Sequence, residues 1–399
     1  MQRDVIVIGA GPAGSATAFH LAQAGIDTLL VDKADFPRDK TCGDCLSPRA
    51  QHFLDKMSLL EGIAAESHQA KRMHFYAPND VCSSTDIIGT DEMPNRTLVI
   101  PRYRFDHLLQ EHAIHSGAEF RVAHVKTLLH DGDRVSGIRI NSEAIHAKWV
   151  VIATGAATGL LDQAGLKPNG SIHTPAARQY FEGITDLQPE LELFFNHISL
   201  PGYAWLFPTG PDSANVGIWY CGDEQRSSRT LLQHLVEQHP RLKHVLEPAE
   251  SLGPLKSYPI RSDFLRAPKL SNGVLAVGEA AGLVNPFTGE GIDYALESAH
   301  LAAQAIVAAM GQGPLTMGSL QAYPQALNAH FRQLFLMMAF ARRYAFNERM
   351  FNRIFGRGAA GQQVIDTLIQ ICFGAANPLI MANPLLLGNL MLARQPEQP

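Results

Sequence analysis

Residues 4–33, DVIVIGAGPAGSATAFHLAQAGIDTLLVDK, predict a strand, a turn, a helix and a second strand. Residues 5–8 form a short apolar run of the kind found in buried parallel strands. Gly9, Gly11 and Gly14 follow in G-x-G-x-x-G spacing, and Gly25 ends a helix that is rich in small residues. The apolar residues 28–31 then predict a second strand, so the glycines occupy the first strand-to-helix turn.

Each glycine of this turn has a mechanical reason. Gly9 makes the tight turn, Gly11 lets the backbone approach a pyrophosphate, and Gly14 lets helix and strand pack closely. The helix N-terminus offers unpaired N–H groups to phosphates, and Asp32 offers a carboxylate to ribose hydroxyls. We therefore expect a bound dinucleotide rather than an empty glycine turn. The motif alone leaves FAD and NAD(P) open.

Composition sets the broad class. The 399 residues suggest about two domains, and 46% hydrophobic with 18% charged residues is ordinary for an enzyme. A net charge of −5 argues against a nucleic-acid partner, and five cysteines in a chain of this length predict a reducing, cytoplasmic setting. We expect no signal peptide and no membrane span. The 17 histidines have no metal-ligand spacing, so we expect no metal.

Three later stretches narrow the choice of dinucleotide. They are IPRYRFDHLLQEHAIHSGAEF (100–120), AKWVVIATGAATG (147–159) and GVLAVGEAAGLVNPFTGEGIDYALESAHLAAQAI (273–306). The first places an arginine before a helix over about residues 105–115. The second is a strand that runs into an Ala-Thr-Gly turn, and the third is a strand, a glycine-rich loop and a long helix from about residue 291. With the first turn, this order resembles the superfamily of flavin-dependent aromatic hydroxylases, halogenases and geranylgeranyl reductases.

That resemblance implies an extended FAD. The residues implied to bind it are Gly9, Gly11, Ala13, Gly14, Asp32, Lys33, Cys42, Gly43, Arg102, Val125, Ala153, Thr154, Gly155, Gly278, Glu279, Gly289, Glu290, Gly291 and Ile292. The last four begin a helix whose N–H groups would favour negative charge on the N1–C2=O edge of the reduced flavin. The chain departs from the family at Gly278-Glu279, where Gly-Asp is usual.

Two further stretches favour one branch of the superfamily. DKADFPRDKTCGDCLSPRA (32–50) and PGYAWLFPTG (201–210) resemble the geranylgeranyl reductases rather than the halogenases. By this resemblance, which covers residues 4 to about 310, Cys42 and Gly43 lie on a loop that faces the flavin and the substrate. Cys42 and Tyr203 are the implied catalytic residues, and Trp205 and Phe207 would line an apolar substrate cavity.

Each of these roles has an alternative. Cys42 could be a small polar filler, and Tyr203, Trp205 and Phe207 could face an ordinary core, since their alternation only places them on one face of a strand. Cys42 and Cys45 have C-x-x-C spacing without a second pair for zinc, so a redox disulfide stays open.

The predicted fold is α/β. A Rossmann-like FAD-binding domain comprises residues 1–65, 100–165 and 270–310, an antiparallel β-sheet substrate domain comprises 66–99 and 166–269, and residues 311–399 are a helical C-terminal region. A helix over 330–356 carries apolar residues beside five arginines, and the apolar run 364–393 is broken by Pro378 and Pro384. Such a region is either an ordinary helical subdomain or a peripheral contact with the inner face of a membrane.

The resemblance implies that reduced FAD delivers a hydride to a C=C bond of an isoprenoid or other apolar substrate while an acid protonates the other carbon. With one G-x-G-x-x-G motif, the electron donor would dock transiently, as NAD(P)H or as another reduced donor. The alternatives are a flavin monooxygenase that hydroxylates or epoxidises an apolar or aromatic substrate, and a flavin-bound redox sensor or carrier that uses Cys42 and Cys45.

Overall fold

The computed structural model describes residues 2–168, 170, 173–221, 224–310, 317–377 and 379–380. The predicted break at Pro378 and the region beyond Ile380, with Pro384, lie outside them. The strands are β1 (Gln2–Ile8), β2 (Thr28–Asp32), β3 (Cys45–Leu46), β4 (His68–Ala70), β5 (Arg72–Tyr76), β6 (Cys82–Asp86), β7 (Thr97–Val99), β8 (Glu119–Val122), β9 (Thr127–Asp131), β10 (Arg134–Ile140), β11 (Glu143–Ile152), β12 (His173–Glu182), β13 (Leu191–Phe194), β14 (Gly202–Pro208), β15 (Ser213–Tyr220), β16 (Glu250–Arg261), β17 (Leu270–Ser271) and β18 (Val274–Ala276).

The α-helices are α1 (Pro12–Gln23), α2 (Pro48–Lys56), α3 (Leu60–Ala65), α4 (Arg102–His115), α5 (Gly159–Gln163), α6 (Ser228–Gln238), α7 (Pro240–Leu246), α8 (Ile292–Met310), α9 (Ala322–Tyr344), α10 (Glu348–Phe355) and α11 (Ala359–Cys372). Short 3-10 turns cover Gly278–Ala281 and Met317–Leu320.

The chain folds into two compact units. Unit 1 comprises Met1–Lys40, Arg102–His173 and Ile260–Leu336, and unit 2 comprises Thr41–Pro101, Thr174–Pro259 and Met337–Pro399. These units divide the chain near residues 40 and 336, whereas the sequence analysis placed boundaries at 65 and 310. Local pairing accounts for the first difference, because Cys45 in β3 pairs with Val99 in β7 within unit 2. The second arises because Phe331 and Phe335 pack on Phe264 of unit 1.

Unit 1 is built on a Rossmann-like sheet in the order β17-β18-β11-β1-β2-β8. Strands β18, β11, β1, β2 and β8 are parallel, and β10 pairs antiparallel with the first half of β11. The apolar residues 5–8 of β1 are almost completely buried, as is usual for a central strand of a parallel sheet whose faces are covered. Helix α1 packs against both α4 and α8, which its small, fully buried Ala16 and Ala18 permit.

Unit 2 contains a seven-stranded sheet in the order β16-β12-β15-β14-β13-β5-β6. The pairs β12–β15, β15–β14, β14–β13 and β5–β6 are antiparallel, and β13 with β5 is parallel. Helices α6 and α7 cover the core, where Leu231, Leu235 and Leu242 are buried. At the β6 edge, the Gln362 side chain of α11 donates to the Ser84 carbonyl oxygen over 2.8 Å. The predicted α/β fold with a largely antiparallel second sheet and a helical C-terminal region is confirmed.

The predicted helix over 330–356 is wrong in one respect, because the structure breaks it in two. Helix α9 ends at Tyr344, and Asn347 caps a new helix, α10, by accepting a hydrogen bond from the Met350 amide over 3.1 Å. Most of the apolar residues that this stretch carries beside its arginines are core residues. Those that are buried are Phe331, Leu334, Phe335, Met338 and Phe346, whereas Phe340 is 64% exposed.

Candidate active site

The first glycine turn follows β1 in unit 1, and its glycines differ in what surrounds them. A Cβ added at Gly9, where φ is +103°, would lie 2.4 Å from the Ala153 carbonyl oxygen, and one at Gly14 would lie 1.7 Å from the Gly9 carbonyl oxygen. Gly11 has φ −76°, and only Arg38 Nη2, at 3.6 Å, lies near such a Cβ. Packing within the protein therefore requires the first and third glycines, while Gly11 borders open space that fits an approaching phosphate.

Three predicted cofactor turns meet at one edge of this sheet. They follow β1, β11 and β18, which are neighbouring parallel strands. A Cβ added at Gly278, where φ is +58°, would lie 2.7 Å from the Ala13 Cβ, and one at Gly155, where φ is +65°, would lie 3.1 Å from Glu279 Oε2. The carboxyl edge of parallel strands is where open α/β sheets bind ligands. These glycines let the three turns pack closely at that edge, where the open space beside Gly11 fits the pyrophosphate of FAD.

Glu279 stands where the family usually has aspartate, and a buried arginine explains its length. Glu279 Oε1 accepts a hydrogen bond from the Arg261 backbone amide over 2.9 Å. The Arg261 side chain is fully buried; it donates to the Ala280 carbonyl oxygen over 2.7 Å and pairs with Asp263 over 2.8 Å. The longer side chain thus reaches the amide while its other oxygen stays beside Gly155. Sequence reasoning missed Arg261 and Asp263, whose only signal was a charged pair inside the stretch YPIRSDFL.

Lys269 lies close to this buried pair. Its ammonium group donates to the carbonyl oxygens of Phe264 and Ala267 and lies 4.3 Å from the centre of the Phe264 ring. Burial lowers the pKa of Lys269 to about 8, although the nearby Asp263 carboxylate acts in the opposite direction. The Lys269 ammonium group therefore holds the segment that follows Arg261 through its hydrogen bonds to two carbonyl oxygens.

Asp32 has a structural role in addition to the predicted contact with ribose. Its Oδ2 accepts from the Ala10 amide over 2.7 Å, and its Oδ1 accepts from the Ala34 amide over 3.0 Å. The carboxylate therefore ties the glycine turn to the end of β2. Lys33, the next residue, is exposed.

Two arginines share one buried carboxylate beside the first turn. Arg102 donates from Nε and Nη2 to the two Asp106 oxygens over 2.6 and 2.7 Å, and Arg38 Nη1 donates to Asp106 Oδ2 over 2.7 Å. The Asp106 side chain is fully buried. Two guanidinium groups against one carboxylate leave a positive charge near Gly11, which suits a pyrophosphate. Asp106 was missed by sequence reasoning, although it lies four residues after Arg102, one helical turn away.

The fourth predicted contact precedes α8. Asn285 organises this loop, because its Oδ1 accepts from the Phe287 amide over 2.9 Å and its backbone amide donates to the Glu290 carbonyl oxygen over 2.8 Å. Gly289, with φ +74°, and Gly291 then lead into α8 at Ile292. The helix N-terminus is therefore held by the loop, as a flavin-facing dipole requires. Val125 is buried in the segment between β8 and β9.

Unit 2 holds the predicted substrate residues. The rings of Tyr203, Trp205 and Phe207 follow one another along β14 with centroids 6.0 and 6.1 Å apart, so they share one face. A Cβ added at Gly43 would lie 3.2 Å from the Phe207 ring and 3.5 Å from the Trp205 ring. The glycine thus lets the turn of residues 42–44 lie against these aromatic rings.

A hydrogen-bond network fixes this turn. Asn215 donates to the Cys42 carbonyl oxygen over 2.7 Å and to Asp44 Oδ2 over 2.8 Å, and its own oxygen accepts from the Trp205 indole over 3.0 Å. The Tyr180 hydroxyl also donates to Asp44 Oδ2. Asn215 and Asp44 are completely buried. Cys45 belongs to β3, and no disulfide joins it to Cys42 in the structure.

Sequence reasoning missed Asp44, Tyr180 and Asn215. The available signal was Asn215 itself, a polar residue inside the otherwise apolar strand ANVGIWY. A polar side chain in a buried strand needs partners, and here its partners are on β14 and on the turn of residues 42–44.

Comparison with known proteins identifies the family. Residues 2–335 match the family described as FAD binding domain. Digeranylgeranylglycerophospholipid reductase 1 of Methanopyrus kandleri is 30% identical over 348 residues, which cover 84% of this chain and 88% of that protein. The chain belongs to the geranylgeranyl reductase family of FAD-dependent oxidoreductases. As a member, it is an FAD-dependent oxidoreductase.

A second reductase is similar in sequence to this geranylgeranyl reductase family member, and two solved structures share its fold. Menaquinone reductase of Mycolicibacterium smegmatis is 30% identical over 349 residues, covering 84% of this chain and 82% of that protein. A geranylgeranyl bacteriochlorophyll reductase-like structure from Thermoplasma acidophilum has a TM-score of 0.81 and 23% identity, covering 98% of both chains. A flavin-dependent brominase has a TM-score of 0.78 and 20% identity, covering 96% of this chain and 98% of that one. At these identities the two structures establish the fold alone.

Among the described residues, none of the helices combines the length and apolar character needed to cross a membrane.

Proposed function

We propose that the protein saturates C=C bonds in the isoprenoid chain of a lipid. The observation that carries this proposal is the row formed by Tyr203, Trp205 and Phe207, because a row of aromatic rings beside a turn that carries a thiol suits an unactivated alkene. Relatives named for menaquinone and for digeranylgeranylglycerophospholipid support it, since both compounds carry isoprenoid chains.

When bound, reduced FAD supplies the hydride for one alkene carbon. The other carbon needs a proton, and we assign its donation to the Cys42 thiol, which then regains a proton from water. Hydride plus proton adds two hydrogen atoms for each bond that is saturated. The aromatic row would exclude water and align the chain, and we propose that Tyr203 lies beside the reacting bond.

The electron donor is proposed to be NAD(P)H, which docks transiently. Anaerobic mixing of the oxidised protein with NADH, with NADPH or with a reduced flavin should bleach the 450 nm flavin band for the donor that the enzyme uses. If only the reduced flavin bleaches this band, the electron donor is a reduced flavin and not a nicotinamide.

The test of function uses protein that has been photoreduced without oxygen. A geranylgeranyl-glycerol lipid and a menaquinone are added separately, and the products are weighed by mass spectrometry after exposure to air. Saturation of a chain adds about 2 Da that air does not remove, whereas reduction of the quinone ring alone is reversed by air. A persistent gain supports the proposal. A gain of about 16 Da in air only, or no stable gain, overturns it and favours the monooxygenase or another redox role.

A lipid surface is the proposed partner of the C-terminal helices. Phe340 and Tyr344 lie one turn apart on α9 and are 64% and 57% exposed, and their ring centroids are 4.7 Å apart. Arg343, on the same turn of α9 as Tyr344, and Arg349 on α10 are also exposed. Exposed aromatic rings beside arginines fit the headgroup boundary of an anionic bilayer.

Flotation with anionic and neutral liposomes tests this surface. The double variant Phe340→Ser with Tyr344→Ser should lose binding to anionic vesicles. Tyr103→Ser, which changes a residue that is 49% exposed on α4, serves as the matched control and should still bind. Equal flotation of all three proteins, or none for the wild type, would refute a lipid contact at this surface.

A further inference from the structure

We propose that Asn215 is a positioning residue that holds Cys42 in the geometry needed to donate its proton. This inference rests on the proposed function. Asn215 lies on β15 and contacts the turn of residues 42–44 only through its amide group.

The hydrogen bonds of Asn215 use its whole amide group. Both contacts of its nitrogen go to the turn, one to the Cys42 carbonyl oxygen and one to the Asp44 carboxylate. Its oxygen accepts the indole proton of Trp205, which fixes the orientation of the amide, because the indole N–H can only donate. One side chain therefore ties the proposed proton donor to the aromatic row that would hold the substrate.

Asp44 transmits this constraint to the sulfur. Its φ of +66° is a left-handed conformation that non-glycine residues adopt only rarely, so the turn needs external support. That support comes from the bonds of Tyr180 and Asn215 to the carboxylate and from the Ile100 amide, which donates to the Asp44 carbonyl oxygen over 3.1 Å. In this conformation the Asp44 amide points at Cys42 Sγ, 3.4 Å away. The sulfur is thus placed by the same turn that Asn215 holds.

Removing the amide should release the turn without emptying the core. Asn215→Leu has a similar volume and no donors, so the peptide after Cys42 is no longer held. We expect the single-turnover rate of flavin reoxidation by an isoprenoid lipid to fall about 10- to 100-fold, since a misplacement of about 1 Å at a reacting group has that effect. The dissociation constant for the lipid should change less than the rate does, because Trp205 is the one ring of the aromatic row that is hydrogen-bonded to Asn215.

The matched control breaks a similar bond in the same sheet. The Trp219 indole donates to the Thr174 hydroxyl over 2.9 Å, and the Trp219 ring lies 5.7 Å from the Tyr203 ring, so the variant also controls for a disturbance of the aromatic row. Thr174→Val should lower the melting temperature about as much as Asn215→Leu does, and it should keep the turnover rate. Equal rate losses in both variants would show that Asn215 acts only through general stability and would overturn the proposal.

A second readout needs no substrate. The rate of Cys42 alkylation by iodoacetamide, followed at that residue by peptide mass spectrometry, should change severalfold in Asn215→Leu and remain unchanged in Thr174→Val. If wild-type protein saturates no lipid but Cys42 alkylation responds to Asn215→Leu, the proposed function fails and the positioning of Cys42 stands. An unchanged alkylation rate in Asn215→Leu overturns the positioning itself.

Discussion

Gly11 and Gly14 belong to the same motif, yet an added methyl group should have opposite effects at the two positions. At Gly14 a Cβ would lie 1.7 Å from the Gly9 carbonyl oxygen, whereas ordinary contact begins at 3.4 Å, so the backbone would have to move by about 1.7 Å. Overpacking of this kind typically costs 1–3 kcal/mol or more, and we expect Gly14→Ala to destabilise the apoprotein by about 3 kcal/mol.

Gly11 has room for the methyl group. Its φ of −76° suits any residue, and its nearest neighbour would be Arg38 Nη2 at 3.6 Å. Gly11→Ala should therefore stabilise the apoprotein by about 0.4–1 kcal/mol, because the unfolded chain loses freedom. Gly11→Ala should also weaken FAD binding, since the methyl group enters the path of the pyrophosphate. Losing one charge-assisted hydrogen bond, worth about 1.5–3 kcal/mol, weakens FAD binding about 10- to 150-fold.

Two measurements separate these effects. Urea unfolding of flavin-free protein gives the stability of each variant, and titration with FAD, followed by flavin fluorescence, gives the affinity. If Gly11→Ala binds FAD like the wild type, the pyrophosphate does not pass Gly11. If its apoprotein is as unstable as that of Gly14→Ala, the distinction between open and packed glycines is wrong.

Three further predictions concern buried polar groups. Asp106→Ala removes the carboxylate that two guanidinium groups share and should lower the free energy of unfolding in urea by about 3–5 kcal/mol. A decrease below about 1 kcal/mol would contradict the shared ion pair. Glu279→Ala leaves the Arg261 amide without its acceptor and should lower the free energy of unfolding by about 1–3 kcal/mol. Glu279→Gln keeps an oxygen at this position, so its stability should stay near that of the wild type. Thermal unfolding of both variants without flavin measures the difference. Burial lowers the pKa of His239 to about 4, below its unfolded value of 6.5. Its contribution is therefore complete above pH 6.5 and is lost as the pH falls towards 4, so His239→Gln should flatten the acid limb of a pH–stability curve, and an unchanged limb would contradict the shift.

The sequence predicted the parts of the site that depend on local rules. A glycine turn between strand and helix follows from spacing, and the family resemblance carried by three glycine-rich turns led to FAD. Tyr203, Trp205 and Phe207 were placed on one face because strand side chains alternate. These features need only the residues of one element and its neighbours.

Long-range pairing was harder to predict. Nothing local to Asn215 indicates that it meets Cys42, which lies 173 residues away in the chain. The acceptor of the Arg261 amide is likewise fixed by tertiary packing. The helix break at Asn347 was predictable in part, since asparagine is a good N-cap, but apolar periodicity on both sides hid it. Whether an apolar residue of α9 is buried or exposed depends on the elements that pack against it, and the periodicity of the helix does not show which elements those are.

The two outer strands of the seven-stranded sheet have a consequence for self-association. Strand β16 carries Pro254 and Pro259, which lack the N–H groups that a docking strand would need, and Gln362 of α11 already occupies the Ser84 carbonyl oxygen on β6. Prolines therefore protect the β16 edge of the sheet, whereas only a helix protects the β6 edge. Truncating the chain before α11 should expose β6 and promote intermolecular strand pairing and fibre formation. Aggregation of such a truncated protein would then reflect an uncapped sheet, whatever the C-terminal region does at a lipid surface.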